Sequence, residues 1–459
     1  MARLENVRFP VADELPQGYD VALEAGFVRD VRPSSRPALD GSLKLILPPL
    51  CHPHVHLDKP YILTCNHAPS PSHPDYSDLT PQSGSFDEAL SNTSKAKERY
   101  TQEDLYLRGS QLLATSYQQG VTSLRAFVEI DHVTGTRSLE TSICLKNDFA
   151  HLIDMQICAF AQDPIFSTAH GDDNRSIITA ALHHHAASID ALGTTPYVEK
   201  SRDASLQNIE WAITTAIAHG LHLDFHLDYN LGPAPSISSN PLTFSVIELL
   251  RKHRWVGAAD RSKTIILGHC TQLTMLEDAE LKHLAESIIA SKLPIHFVGL
   301  PTSDMYMMGR PGNDSQASHN RPRGTLQVPK LIKDLGLSAC IGINNVGNAF
   351  TPYGTGDPLH LASWAVGLYH AGTARDALLL YGCVSWRARF ALGMELGPSK
   401  GAIKEGQDLR GMLLIDNREN INLPGASAGT SLKVHARPRV GIKDIVWDPP
   451  EVNLRSIIR

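Results

Sequence analysis

The chain has no pair of cysteines spaced as CxxC: its seven, at positions 51, 65, 144, 158, 270, 340 and 383, are scattered and odd in number. That distribution disfavours both a disulfide framework and a thiolate zinc site. No apolar run approaches the roughly 20 residues of a membrane span, and the opening MARLENVRFPVADELPQGYD has no apolar core of the length a secretory signal needs. A cytoplasmic protein with no membrane contact is expected. Positive charge is not in excess either, since 42 Lys and Arg stand against 48 Asp and Glu for a formal net charge of -6. Such a balance provides no footprint for a phosphate backbone, so nucleic acid is not an expected partner. Hydrophobic residues at 42% and charged residues at 20% are ordinary globular values, and the length of 459 residues suits one large barrel with a smaller appendage. What the chain has in abundance is histidine, 22 residues.

From about residue 44 short apolar runs alternate with longer amphipathic stretches, the pattern of parallel strands joined by crossover helices. The strand candidates are LKLILPPL at 43–50, VTSLRAFVEI at 121–130, IDMQICAFA at 153–161, IDALGTTPYV at 189–198, LHLDFHL at 221–227, KTIILGHC at 263–270, LPIHFVGL at 293–300 and LSACIGIN at 337–344. Eight such units predict an α/β fold, a (β/α)8 TIM-type barrel over 44–399, rather than an open doubly wound sheet. Residues 1–43 and 400–459 carry short alternating runs such as YDVALEAGFVRDVRP and RGMLLID, which predict a small discontinuous β-sandwich formed by both chain ends. The Pro- and Ser-rich stretch 68–95 is polar and long for a connection, and reads as a lid or a disordered segment, a flexible lid over the barrel mouth being the expectation.

The histidines fall where such a barrel does its chemistry. His54 and His56, in CHPHVHLDKP, sit just after the first strand candidate, and the period of two in a strand points both the same way. His226 follows LHLDF and His269 follows TIILG. A lone strand-end histidine is most often a hydrogen-bonded core residue. Four at the C-terminal ends of strands one, five and six, on the catalytic face of a barrel, point instead to a centre for a divalent transition metal, zinc or iron.

These motifs together resemble the amidohydrolase superfamily, specifically its cytosine deaminase-like branch. The resemblance runs through LPPLCHPHVHLDKP, GVTSLRAFVEID, FAQDPIF, TPYVE, HLD at 226–228, GHC at 268–270, RGTLQVPKLIKDLGLSACIGINN, YGTGDP and GAIKEGQDLRGMLLID. It implies that His54, His56 and His226 are metal ligands, that His269 polarises the attacking water, and that Gln162 hydrogen-bonds the substrate. Two positions depart from the family pattern. Where the family has a metal-binding aspartate at the end of the eighth strand this chain has Asn344, followed by Asn345, and where the family has a glutamate proton shuttle it has Tyr229. An amide cannot accept a proton at neutral pH, and a phenol is a poor substitute for a carboxyl group. Asp228, two residues beyond His226, is the candidate replacement acid–base group, or else a residue that orients a histidine. Asn345 is a candidate substrate contact. Asp58 and Lys59 read as a buried pair bracing the first strand, Asp357 as a turn or helix cap, and Arg323 and Gly324 as a loop without a derivable role.

The expected function is metal-dependent hydrolysis of a C–N bond, not a peptide bond, in a small cyclic amide, amidine or aminated heterocycle. The alternative is a diverged, non-hydrolytic barrel that binds a small molecule or uses its pocket for other acid–base chemistry. A homo-oligomer is compatible with either.

Overall fold

The structure is a computed structural model that describes residues 2–9, 18–36, 43–64, 68–229, 231, 241–308, 323–352, 355–394 and 403–459. The N-terminal strands β1 (Ala2–Arg8), β2 (Tyr19–Glu24), β3 (Phe27–Pro33) and β4 (Lys44–Leu47) belong to a six-stranded sheet. β2 and β3 are joined through Ala25 and Gly26, both at positive φ (49° and 81°). Positive φ at both central residues matches the right-handed twist of the flanking strands, and glycine adopts it without strain.

Eight parallel strands follow: β5 (Leu50–His56), β6 (Val121–Glu129), β7 (Asp154–Ala161), β8 (Ala191–Thr194), β9 (His222–Leu227), β10 (Ile265–His269), β11 (Ile295–Gly299) and β12 (Ala339–Ile341). Each pairs with the next, and the sheet closes where His56 N donates to Asn344 O (2.9 Å) and Asn344 N donates to His54 O (3.0 Å). Closure therefore runs through two of the predicted ligand residues and the residue facing them. The strands are buried on both faces, as parallel strands covered by helices must be, which is why they read as continuous apolar runs. The (β/α)8 class holds.

The chain then returns to the first sheet with β13 (Leu413–Ile415), sends out a hairpin of β14 (Asn420–Pro424) and β15 (Ser431–His435), and ends with β16 (Arg455–Ile457). The sheet order is β16-β13-β4-β1-β2-β3, so both chain ends build it, with Val7, Val21, Val28, Ile46, Leu409 and Met412 in its core. The boundary expected at 400 lies outside the described residues.

Three expectations need correction. The run LKLILPPL holds one whole strand and the start of another: Lys44–Leu47 pairs within the small sheet and the first barrel strand begins at Leu50. Pro48 and Pro49, which have no N–H to give to a ladder, separate them. The fourth barrel strand is only Ala191–Thr194, because Pro196 opens a short 3₁₀ turn. The stretch 68–95 is not structureless. It contains a 3₁₀ turn at Ser77–Leu79 and most of the helix Phe86–Arg99. That helix is started by Ser85, whose side chain accepts from Glu88 N, while the Glu88 carboxylate accepts from the backbone N–H groups of Gln82, Ser83 and Gly84. Its polarity conceals a built N-terminus.

Candidate active site

His54 and His56 stand on β5 itself, one residue apart, so the alternation of the strand aims both rings into the barrel mouth. His226 on β9 meets them: its Nε2 lies 3.0 Å from His54 Nε2 and 3.3 Å from His56 Nε2. Two nitrogens bound at 2.0–2.1 Å to one tetrahedral ion lie about 3.3–3.4 Å apart. Three ring nitrogens this close cannot all be satisfied by hydrogen bonds to one another. Burial pushes all three imidazoles well below the usual histidine range, so they stand neutral with lone pairs available. The Asn344 side-chain oxygen, buried and without a hydrogen-bond partner, belongs to the same cluster. The donor set suits a divalent metal, and it is wholly uncharged.

The Nδ1 atoms of His54, His56 and His226 have no hydrogen-bond partner. Behind His54, Asp224 approaches to 4.0 Å, but its other oxygen is held by Arg125 at 2.8 Å. Burial raises Asp224 to about 7 despite that arginine. His269, at the end of β10, is different. Its Nδ1 lies 2.7 Å from Asp304 Oδ1, and Asp304 Oδ2 accepts from Thr325 Oγ1 at 2.8 Å.

Beside these groups lies a cleft lined by His56, His226, His269, Gln162, Tyr197, Tyr229, Ser303, Asn344, Asn345 and the apolar Phe86, Met307 and Phe350. Phe86 comes from the helix Phe86–Arg99 and stacks on Tyr229, with ring centroids 5.5 Å apart. The segment expected to be a lid thus contributes to the wall. Tyr229 is buried, its hydroxyl has no partner, and burial raises its pKa, so it is a neutral phenol. Gln162 has its Oε1 turned to Lys59 Nζ (3.4 Å), and Asn345 has its Oδ1 taken by Asn348 Nδ2 (2.8 Å). Both amides are left with N–H donors.

Beneath this wall lies a buried ion network. Lys59 pairs with Glu129, and Lys97 reaches Glu129 (3.0 Å), Asp131 (2.6 Å) and Asp163 (3.1 Å). Burial alone would depress the Lys97 ammonium, but Glu129, Asp163 and Asp131 outweigh it and hold the group well above its usual range. Asp58 does not pair with Lys59 as expected. It accepts from Glu129 N at 2.8 Å, and burial with the neighbouring Glu129 charge raises it to about 6.

The structure brings His54, His56, His226, His269, Gln162, Tyr229, Asn344 and Asn345 together, but it places Asp228 elsewhere. The Asp228 carboxylate accepts from Leu242 N, Thr243 N and Thr243 Oγ1 at 2.6–2.9 Å, at the start of the helix Leu242–Lys252. It neither borders the cleft nor orients a histidine. The period-two rule fails because the strand ends at Leu227 and Asp228 has φ 48°. Asp357 is the cap of the helix Pro358–Leu368, accepting from Leu359 N, and pairs with Arg455. Sequence reasoning missed Asp304, which lies five residues beyond β11 in the helix Pro301–Met307 with no spacing to mark it.

No family model matches the chain. An uncharacterised protein of Escherichia coli strain K12 is 22% identical over 360 residues, which are 78% of this chain and 66% of that protein. The N-isopropylammelide isopropyl amidohydrolase of Pseudomonas sp. strain ADP is 21% identical over 363 residues, 78% of this chain and 77% of the enzyme. The crystal structure of 5-methylcytosine deaminase from Klebsiella pneumoniae with 5-fluorocytosine matches with a TM-score of 0.71 at 22% identity, covering 91% of each chain. The fold is therefore shared over most of the chain with that structure.

Proposed function

We propose that the protein is a metal-dependent hydrolase that cleaves a C–N bond of a small, uncharged cyclic amide, amidine or aminated heterocycle. The observation that carries this reading is the convergence of three neutral imidazoles at 3.0 and 3.3 Å, two of which, His56 and His226, border the cleft together with His269. The likeness to an amidohydrolase and a cytosine-type deaminase supports it. His54, His56 and His226 would hold a zinc or iron ion, with the Asn344 oxygen beside them. Such an ion, when bound, lowers the pKa of water and polarises a carbonyl-like carbon.

The remaining chemistry belongs to the chain. Gln162 and Asn345 present N–H donors that orient a planar ring by its acceptors, and Phe86, Tyr229 and Phe350 exclude water from its faces. His269 takes the proton from the attacking water and returns it to the departing nitrogen. Among the described residues, no ionised side chain borders the cleft apart from any imidazole in its turnover, which favours an uncharged substrate. Metal analysis tests the reading. Protein purified without added metal and then reconstituted with zinc or iron should hold about one equivalent per chain, and His226→Asn should hold less than a tenth. Less than a tenth in the parent protein after reconstitution would favour the non-hydrolytic alternative.

A further inference from the structure

The donor set formed by His54, His56, His226 and Asn344 contains no negative charge, and Tyr229 offers only a neutral phenol. Hydrolysis of a C–N bond still needs a group that holds the water's proton and passes it on, and such a group works best with a fixed tautomer and a counter-charge. Of the imidazoles of His54, His56, His226 and His269, only that of His269 has its Nδ1 hydrogen-bonded, and its partner is the fully buried carboxylate of Asp304. The second Asp304 oxygen is taken by Thr325 Oγ1, so the carboxylate is fixed at both ends.

We propose that Asp304 supplies, through His269, the carboxylate that the end of the eighth barrel strand lacks. This inference rests on the hydrolase reading above. An ionised carboxylate can only accept, so His269 carries its proton on Nδ1 and turns the Nε2 lone pair to the cleft. The proton balance then closes within the pair. A water O–H proton moves to His269 Nε2 as the oxygen bonds to the trigonal carbon. The imidazolium is stabilised by the Asp304 carboxylate, and the same proton passes to the nitrogen as the C–N bond breaks. Asp304 touches His269 and not the substrate, so it is a positioning residue. The negative charge has moved from beside the metal site to the far side of the base.

A carboxylate exchange tests this. Asp304→Asn should lower kcat about 10²- to 10⁴-fold, with KM and metal content changed less than threefold, on whichever cytosine-like, hydantoin-like or lactam compound the parent protein hydrolyses. Adding Asn344→Asp to that variant should restore at least tenfold, because a carboxylate beside the attacking water can take the proton directly. A merely structural role for Asp304 would not be rescued from position 344. The activity-independent readout is the side-chain ¹H–¹⁵N spectrum of the metal-free protein, in which the His269 Nδ1–H resonance should be downfield, absent in His269→Gln, and shifted or lost in Asp304→Asn. Should Asp304→Asn fail to fold, Thr325→Val, which frees one carboxylate oxygen, should reduce kcat about threefold to tenfold and move the same resonance. Activity of Asp304→Asn within threefold of the parent, absence of rescue by Asn344→Asp, or an unmoved Nδ1–H resonance in a folded variant would overturn the inference while leaving the hydrolase reading standing. A parent protein that binds metal but hydrolyses nothing would sink the hydrolase reading, and the resonance would then decide the Asp304–His269 pairing by itself.

Discussion

His296, on β11, is buried with its Nδ1 2.7 Å from Ser338 Oγ and its ring against Phe390. Burial, helped by Arg125, lowers its pKa from 6.5 to about 4. Above pH 6.5 the ring is neutral in both the folded and the unfolded chain. As pH falls from 6.5 to about 4 the unfolded chain takes a proton that the folded one refuses, so stability is lost through that window. The full loss is on the order of 3 kcal/mol. His296→Gln, which keeps a hydrogen bond to Ser338, should match the parent in urea at pH 7.5 and surpass it at pH 5. Parallel pH profiles of the two proteins would contradict the assignment. At this scale His54, His56, His226 and His269 were legible because strand ends and alternation are local properties. Asp228 was misread because its left-handed backbone breaks the alternation, and Asp304 was invisible because its partner lies 35 residues away in sequence.

The helix Phe86–Arg99 ties the wall of the cleft to the barrel: Phe86 packs at its start, and Lys97 near its end is held by carboxylates after β6 and β7 and at the end of β6. Removing one partner from a buried ion network typically costs about 3–5 kcal/mol, because the remaining charges lose their compensation. Lys97→Met should therefore loosen this helix before the barrel, whose own strands it leaves intact. Limited proteolysis should cut between residues 68 and 99 at least tenfold faster in the variant, while the far-ultraviolet circular dichroism stays close to that of the parent. An unchanged cutting rate would show that the helix is held by its apolar packing, Ala96 in one cluster with Tyr76, Leu79 and Tyr100, rather than by the lysine. Composition misled at this scale. A Pro- and Ser-rich segment reads as loop, whereas the carboxylates that order it come from distant strands.

The two chain ends meet in one sheet, and Arg455 fastens that sheet's last strand to the barrel. Its Nη1 donates to Asp357 (2.9 Å) and to Gln119 O (3.2 Å), and its other nitrogens donate to Pro450 O. Both side chains are buried. Arg455→Met should lower the unfolding free energy by about 3–5 kcal/mol, since it leaves a buried carboxylate unpaired. Asp357→Asn in the same chain should recover at least a third of that loss, because the amide still caps the helix Pro358–Leu368 without a charge. A single variant within about 1 kcal/mol of the parent would mean that Asp357 takes up a proton or that water reaches the pair.

The sequence by itself determined the eight apolar runs, their order, the terminal strands and the histidines at the strand ends, since each depends on neighbours a few residues apart. Folding decided which run joins which sheet at Pro48–Pro49, and that an insertion becomes a wall. It also decided that the carboxylate serving His269 comes from beyond the seventh barrel strand while Asp228 caps a helix. Those outcomes rest on hydrogen bonds and ion pairs between residues far apart in the chain, and periodicity carries no record of them.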